Sequence, residues 1–216
     1  SGGTAEEIVT IASPYNEAAL PNLRFVQSAD TMFIVHPSHA PRTLTRTSHT
    51  AWSFSQITFI DGAYLSQNTT ATTLNPGATS GTGVALVASA DLFASTDVGR
   101  LVSLHSGNAV ITAFTDAQNV TITVNSNFSA STATADWKLG AFSDTTGFPS
   151  CVTFFEQRLV LASTTEEPQT LFFSKSGDYT NFTAGTNDND AIIYQIASNQ
   201  SSDDWYIWRR ICSNNN

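Results

Sequence analysis

The stretch Phe33-Ile-Val-His-Pro-Ser-His-Ala-Pro-Arg-Thr-Leu-Thr-Arg46 decides the fold, because its pattern returns downstream without a gap. Pro41 of the first copy aligns with Pro168 of the second, an offset of 127 residues. In each copy a β-rich run enters a polar turn of six to seven residues, a proline ends the turn, and another β-rich run follows. Proline fixes its own φ and favours an extended residue before it. The repeat therefore predicts the same β-hairpin twice.

Each hairpin lies inside a group of four runs rich in β-branched and aromatic residues, the composition typical of strands. The first group covers residues 23–29, 31–36, 42–47 and 52–59, and the second covers 152–155, 158–163, 170–174 and 191–197. Four antiparallel strands in about forty residues match one blade of a β-propeller. Two such units cannot close a propeller ring. The chain is thus expected to be a fragment or to receive sheets from other copies.

Between the two groups lie five more short runs, at 84–89, 100–105, 109–114, 119–124 and 137–142. They predict a small β-barrel or sandwich inserted between the blade-like units, with a helical turn within 91–99. The predicted fold class is all-β, with two four-stranded antiparallel units and this insertion. The predicted divisions are an arm at 1–22, a first unit at 23–61, the inserted domain at 62–148, a second unit at 149–200 and a divergent, disordered tail at 201–216. The arm holds a possible helical turn that Pro21 ends, and it adds a strand elsewhere or lies on a neighbour.

Composition narrows the class of protein. The chain has 216 residues, a formal net charge of −9 and only 12% charged residues, a balance more usual in extracellular or virion β-proteins. Nine Lys and Arg residues, nowhere clustered, argue against a surface that follows phosphates. No apolar run approaches the ~18 residues that span a bilayer, so we expect a soluble protein with no membrane partner.

Several residues could form a site, and each has a simpler interpretation. His36 and His39 could share a zinc ion, but no third ligand is apparent and a packing role is favoured. Asp188-Asn-Asp190 resembles the start of a calcium loop without its glycine and closing glutamate, so a solvated turn is favoured. Cys151 and Cys212 could form one disulfide; we favour a buried strand residue and a free thiol instead.

The segment Ser174-Lys-Ser-Gly-Asp178-Tyr-Thr-Asn-Phe182 resembles the Asp-box turn of sialidase-type propellers. In that turn the aspartate caps a hairpin and the following aromatic packs into the blade, away from any active site. The sequence contains no G-x-S-x-G, P-loop or H-E-x-x-H motif. We therefore predict no enzyme activity and no catalytic, cofactor-binding or metal-binding residues.

Two residue types leave a role in glycan chemistry open. The N-glycosylation pattern occurs at Asn68, Asn119, Asn127, Asn181 and Asn199, and in a chain this rich in Asn, Ser and Thr we interpret these matches as chance. A sugar platform could be built from the four tryptophans, although strand tryptophans belong more often to the core. These tryptophans are Trp52, Trp137, Trp205 and Trp208.

An ordered set of short motifs over about residues 8–200 is similar to the N-terminal part of tail nozzle proteins (tail tubular protein B type) of short-tailed bacteriophages and prophages. In the first half the motifs are Asn22 to Pro37, Pro41 to Arg46, Ser48 to Trp52 and Asp61 to Leu65. In the second half they are Asp97 to Leu101, Trp137 to Gly140, Gly147 to Pro149, Phe155 to Leu159, Pro168 to Leu171, Ser176 to Phe182 and Asp190 to Ile193.

This resemblance implies a structural protein of the virion tail that forms a homo-oligomeric ring beneath the portal and adaptor. Its partners would be other tail and portal-adaptor proteins, and DNA would be only passing cargo. An acidic or neutral channel does not retain a polyanion, with which the net charge agrees. Members of that family are several times longer, so the chain would correspond to an N-terminal piece.

The alternative is a glycan-binding or glycan-cleaving module of a virion or cell surface, and a host-derived adhesin is a third possibility. A binding module predicts exposed tryptophans beside Asn, Asp or Arg in a groove, and a cleaving module predicts two carboxylates ~5 to ~9 Å apart. A nozzle subunit predicts flat polar faces and exposed strand edges.

Overall fold

A computed structural model describes residues 9–196 of the chain, and these residues fold almost entirely as β structure. They form antiparallel sheets of four, six and four strands, one of them a half-barrel. The only helical segments among them are two short 3-10 turns, Glu17–Asn22 and Ser95–Asp97. The predicted all-β class, with two four-stranded units around an inserted β domain, is confirmed. No helix in the described part of the chain is long and apolar enough to cross a membrane.

The first sheet contains β1 to β4 in chain order, each strand paired with the next. Its strands are β1 (Arg24–Ser28), β2 (Thr31–His36), β3 (His39–Arg46) and β4 (Trp52–Gln56). The last sheet has the same plan, with the order β11-β12-β13-β14. Its strands are β11 (Cys151–Phe155), β12 (Arg158–Ala162), β13 (Thr170–Phe173) and β14 (Ile192–Gln195).

The inserted sheet has six strands in the order β10-β7-β8-β9-β6-β5. Its strands are β5 (Leu74–Pro76), β6 (Val84–Ala88), β7 (Leu101–Leu104), β8 (Gly107–Asp116), β9 (Asn119–Ser126) and β10 (Trp137–Leu139). We predicted all of these except β5, which lies in the stretch rich in Ser, Thr and Gly before β6. A three-residue strand containing Pro76 carries too few β-forming residues to be recognised from its composition.

The first hairpin corrects the prediction drawn from the repeat. Only Pro37 and Ser38 connect β2 to β3, and Pro41 lies inside β3 instead of ending a longer turn. A register shift between Ile34 and His36 forms an irregularity beside this proline. The Pro41 carbonyl accepts a hydrogen bond from the Ile57 amide just beyond the end of β4, and Pro41 has no amide hydrogen to donate in return, so the pairing with β4 ends there. In the last sheet the connection of residues 163–169 is long and contains Pro168, as expected.

Two hydrophobic cores organise the described residues. The inserted sheet closes over its own core, whereas the first and last sheets face each other across a shared one. Across this shared core Phe33 of β2 meets Phe154 of β11 and Tyr179, with ring centroids 5.7 and 5.6 Å apart. β1 also contacts β11, so the first strands of the two sheets lie next to each other. The fourth strand of each sheet is at the opposite edge.

A buried ion pair joins the inserted sheet to the chain that leaves it. The Asp97 carboxylate accepts hydrogen bonds from the Arg100 guanidinium at 2.8 Å and from the Thr145 hydroxyl at 2.7 Å. Arg100 also donates from Nε to the Gly140 carbonyl at 2.8 Å. The Asp97 carboxylate and the Arg100 guanidinium are both buried and hydrogen-bonded. Removing either side chain would leave the other charge buried without compensation. These residues fix the exit of the insertion instead of forming a site.

Candidate assembly surface

The outer face of the first sheet, opposite the shared core, carries a second set of apolar side chains. Side chains on a strand alternate between faces, and paired residues share a face. Phe25 pairs with Ile34 and Leu44 pairs with Phe54, and all four lie on this outer face. The first sheet is therefore apolar on both faces, contrary to the flat polar faces expected of a nozzle subunit.

The segment 9–22 lies over part of this outer face. Its Tyr15 ring packs against His39 and Phe54, with ring centroids 5.2 and 6.1 Å apart. Asn16 accepts a hydrogen bond from the Ala19 amide at 3.0 Å, which starts the short 3-10 turn. That turn continues through Pro21, which we had expected to end it. The arm thus lies on its own first sheet.

An open groove of about 920 Å³ remains between the arm and the outer face. Its walls are mainly aliphatic and aromatic. The lining residues are Val9, Ile11, Ser13, Tyr15, Leu20, Leu23, Phe25, Ile34, Leu44, Arg46, His49, Trp52 and Phe54. We call this feature the outer groove. An apolar depression of this size is typical of a surface that binds a partner or a ligand.

The outer groove has a basic side chain in its lining, Arg46. Among the residues 9–196 that line the groove there is no carboxylate. The Arg42 guanidinium lies over the Phe54 ring, 5.3 Å from the centroid. Arg46 also makes a 3.7 Å ion pair with Asp30, but both side chains are largely exposed, and such pairs contribute little to stability. The charge at the lining of the groove is therefore opposite in sign to the net charge of the chain, −9.

Exposed strands lie at the outer ends of both four-stranded sheets, as the nozzle hypothesis predicts. In the last sheet this strand is β14, whose four residues are all exposed, including Ile192, Ile193 and Tyr194. In the first sheet it is β4, which is exposed except at Phe54. Apolar edge strands tend to pair with other chains unless something covers them.

His36 and His39 lie together, with ring centroids 4.9 Å apart, but their chemistry does not suit a metal. His36 Nδ1 accepts a hydrogen bond from the Ser38 amide at 3.0 Å, so in the neutral ring Nε2 carries the proton. A protonated nitrogen has no lone pair to give to a metal ion. Burial, and then the neighbouring His39, lower the pKa of His36. Across residues 9–196 no three His, Cys, Asp or Glu side chains form a metal-binding group.

The Asp188–Asp190 segment is organised around a buried arginine that sequence reasoning missed. Arg158 donates to the carbonyls of Ser174, Asp188 and Asp190 at 2.6–2.7 Å and, more weakly, to that of Asn189 at 3.4 Å. These carbonyls already face a cation, so they are not available to calcium. The only sequence signal was a charged residue opening the apolar run Arg158–Ala162.

The carboxylate of Asp190 has its own partners in the same loop. It accepts a hydrogen bond from the Asn187 amide at 3.0 Å and pairs with Lys175 at 3.1 Å. The Asn187 amide and then Lys175 lower the pKa of Asp190. The interpretation as a turn rather than a calcium loop therefore agrees with the contacts.

The Asp-box segment adopts the geometry that its resemblance implied. Asp178 accepts hydrogen bonds from the Thr180 amide at 3.2 Å and hydroxyl at 3.1 Å, and Gly177 supplies a φ of +76° in the turn. Phe182 is only 1% exposed and belongs to the shared core. The Phe182 amide also donates to the Asp61 carbonyl at 2.7 Å, which joins the turn to the chain leaving the first sheet.

The two tryptophans within residues 9–196 lie in different surroundings, one in a core and one in the outer groove. Trp137 lies in the core of the inserted sheet, and its Nε1 donates to the Thr72 carbonyl at 2.9 Å. Trp52 is 41% exposed in the outer groove, beside its cross-strand partner Arg46. Trp205 and Trp208 lie outside the described residues.

Two matches to the glycosylation pattern are explained by local turns. The Asn68 side-chain oxygen accepts from the Thr70 amide at 3.0 Å, and that of Asn181 accepts from the Thr183 amide at 3.0 Å. Such Asx turns favour a hydroxyl residue two positions after the asparagine. Asn199 lies outside the described residues.

Neither a protein-family model nor a curated protein matches this chain. The resemblance to tail nozzle proteins consequently depends on the sequence motifs quoted above.

Proposed function

We propose that the protein is a structural subunit of a phage tail nozzle, a ring around the DNA exit channel, and that it has no catalytic role. The observation that carries the proposal is the outer groove together with the exposed edge strands, because both are surfaces that a neighbouring chain would cover. The ordered nozzle-like motifs supply the class of assembly.

The stacking of the two four-stranded sheets supports this proposal. Their first strands touch and their fourth strands point outward, the arrangement of adjacent propeller blades. The Asp-box turn places Phe182 between them, as in sialidase-type blades. Two blades leave two outer faces, so further sheets or further copies are needed to complete a ring.

The proposed partners are copies of this chain and other tail or portal-adaptor proteins. Rings arise from head-to-tail contacts between different surfaces of identical subunits. The outer groove would form one side of that contact. DNA would pass through the channel without being retained, because the chain carries a net charge of −9.

Negative-stain electron microscopy of the concentrated full chain tests the nozzle proposal. We expect closed rings with a central opening wide enough for duplex DNA. Particles of single-subunit size in every field, or open fibres, would contradict a ring-forming subunit.

The alternative, a glycan-binding module, has one observation in its favour. Trp52 is exposed beside Arg46 in a groove, the combination expected of a sugar platform. A glycan array probed with the full chain and with Trp52→Ala tests it. Binding that the Trp52→Ala variant loses would support the alternative, and an array without signal would exclude it for the glycans presented.

A further inference from the structure

The first two strands of each four-stranded sheet pair in the same register. Adding the repeat offset of 127 to every pair between β1 and β2 gives a pair between β11 and β12. For example, the pair of Phe25 with Ile34 corresponds to the pair of Val152 with Leu161. Each residue of the first pair of strands therefore has an equivalent in the last sheet, and equivalent residues define equivalent faces.

The shared core joins two faces that are not equivalent. The first sheet contributes Phe33, whose equivalent, Val160, points to the outer face of the last sheet because the next residue, Leu161, points into the core. The last sheet contributes Leu161, whose equivalent, Ile34, lines the outer groove. The last sheet therefore buries in the core the kind of face that the first sheet leaves open, and the first sheet buries the kind of face that the last sheet turns outward.

The outer face of the last sheet carries exposed apolar side chains on both sides of the buried strand β12. Phe155, at the end of β11, is 56% exposed and packs against Phe173 of β13, with ring centroids 6.3 Å apart. On β14, Ile192 pairs with Phe173 and Tyr194 pairs with Leu171, and these two β14 residues are 48% and 58% exposed. We call these five residues the apolar patch. Exposed apolar side chains grouped in this way are typical of a surface that binds a partner.

The outer groove and the apolar patch also lie in surroundings of opposite charge. Arg46 lines the groove. The unit that carries the patch, residues 149–196, contains six Asp and Glu residues against two basic residues, Arg158 and Lys175. Arg158 is buried against main-chain carbonyls and Lys175 is ion-paired, whereas Glu156 is exposed in the turn that directly follows β11. Opposite charges on two surfaces favour their encounter over contact between two like surfaces.

We propose that the outer groove of one copy of this chain binds the apolar patch of a second copy. The contact repeats between copies the packing that the shared core shows within one copy, because the two outer faces are the equivalents of the two faces buried there. A contact between two different surfaces leaves one of each unoccupied at the ends of every pair, so further copies add in the same direction. This inference rests on the self-assembly in the nozzle proposal and adds which two surfaces meet.

Mixing two variants of the full chain, each without one of the surfaces, tests this contact. Leu44→Asp places a charge in the outer groove, and Tyr194→Asp places one in the apolar patch. We expect each variant alone to be monomeric at concentrations at which the parent chain assembles. Their equimolar mixture should form a dimer of twice 23.1 kDa and nothing larger, because the first variant keeps its patch and the second keeps its groove. Light scattering coupled to size exclusion measures these masses.

Gln195→Asp is the matched control, because Gln195 is exposed on β14 and its side chain lies on the face opposite Tyr194. We expect this variant to assemble like the parent chain. If the parent assembles, a Tyr194→Asp variant that also assembles, or a mixture that stays monomeric, would overturn the inference and leave the nozzle proposal standing. A parent chain that is monomeric at every concentration would overturn both.

Discussion

The first and last sheets have the same strand order and face each other across one core, but they differ in how their outer faces are closed. In the last sheet every residue of β12 is buried. In the first sheet the equivalent strand β2 is buried mainly on the core side, and its other face borders the outer groove. The repeated hairpin therefore determines the strand order of each sheet but not how far its outer face is buried. A central strand of the last sheet is buried on both faces, whereas the first sheet keeps an open apolar surface.

The largest expected effect comes from the core that the two sheets share. Phe172→Ala removes a ring that is almost fully buried and meets Phe142 at 5.2 Å, so we expect unfolding to become easier by about 4 kcal/mol. Phe155→Ala, on the exposed side of the same sheet, should cost less than about 1 kcal/mol. Urea unfolding measures both. Equal losses would mean that the sheets do not depend on a shared core.

The next largest effect separates the last sheet from the first. Arg158→Met leaves the carbonyls that face the guanidinium without their donor, and we expect a loss of about 3 kcal/mol. The repeat offset places Thr31 at the equivalent position of the first sheet, and Thr31→Met should cost less than about 1 kcal/mol. Thermal unfolding compares the two. A tolerated Arg158→Met would show that the carbonyl cage does not stabilise the last sheet.

A smaller effect concerns the Asp-box turn, which only the last sheet has. Asp178→Ala removes the acceptor for the Thr180 amide and hydroxyl, at an expected cost of about 1 kcal/mol. Asp188→Ala is the control, because its side chain is exposed and its carbonyl still faces Arg158. Urea midpoints of the two variants should differ, and equal midpoints would remove the capping role of Asp178.

The smallest effect is a pH dependence of the first hairpin. The pKa of His36 is lowered in the folded chain, so stability is complete above the ordinary histidine pKa of about 6.5 and falls as the pH drops below it. The titratable side chains in contact with it are His39 and Tyr15, and Arg42 acts on Tyr15. Protonation of Nδ1 would also break its bond to the Ser38 amide.

Melting temperatures between about pH 8 and about pH 5.5 measure this dependence on both sides of the histidine pKa. His36→Asn, whose side-chain oxygen can accept from the same amide, should reduce the decrease. His49→Asn, at an exposed position, should keep it. A decrease that is identical in all three proteins would assign the pH dependence to other groups.

Strand composition predicted most of the fold, because runs of β-branched and aromatic residues separated by short turns leave few alternatives. The prediction for the first hairpin was wrong because Pro41 can occupy a strand at the point where the pairing with β4 ends. That condition is set by tertiary structure. The burial of Cys151 was predicted, but its disulfide was not, because spacing along the chain does not show which residues meet.

The outer groove was less predictable than the strands. Alternation shows that Phe25, Ile34 and Leu44 share one face, but not that the segment 9–22 covers only part of it. Arg158 was missed for a related reason. Its partners are main-chain carbonyls, which leave no mark in the sequence.

The most direct test of the central claim, assembly through the open face of the first sheet, is light scattering coupled to size exclusion over a concentration series. We expect one discrete oligomer whose mass is a multiple of 23.1 kDa. Leu44→Asp in the outer groove should shift the chain to monomer, while Ser53→Asp on the opposite face of the sheet should not. A parent chain that stays monomeric at every concentration, or a Leu44→Asp variant that assembles like the parent, would contradict assembly through this face.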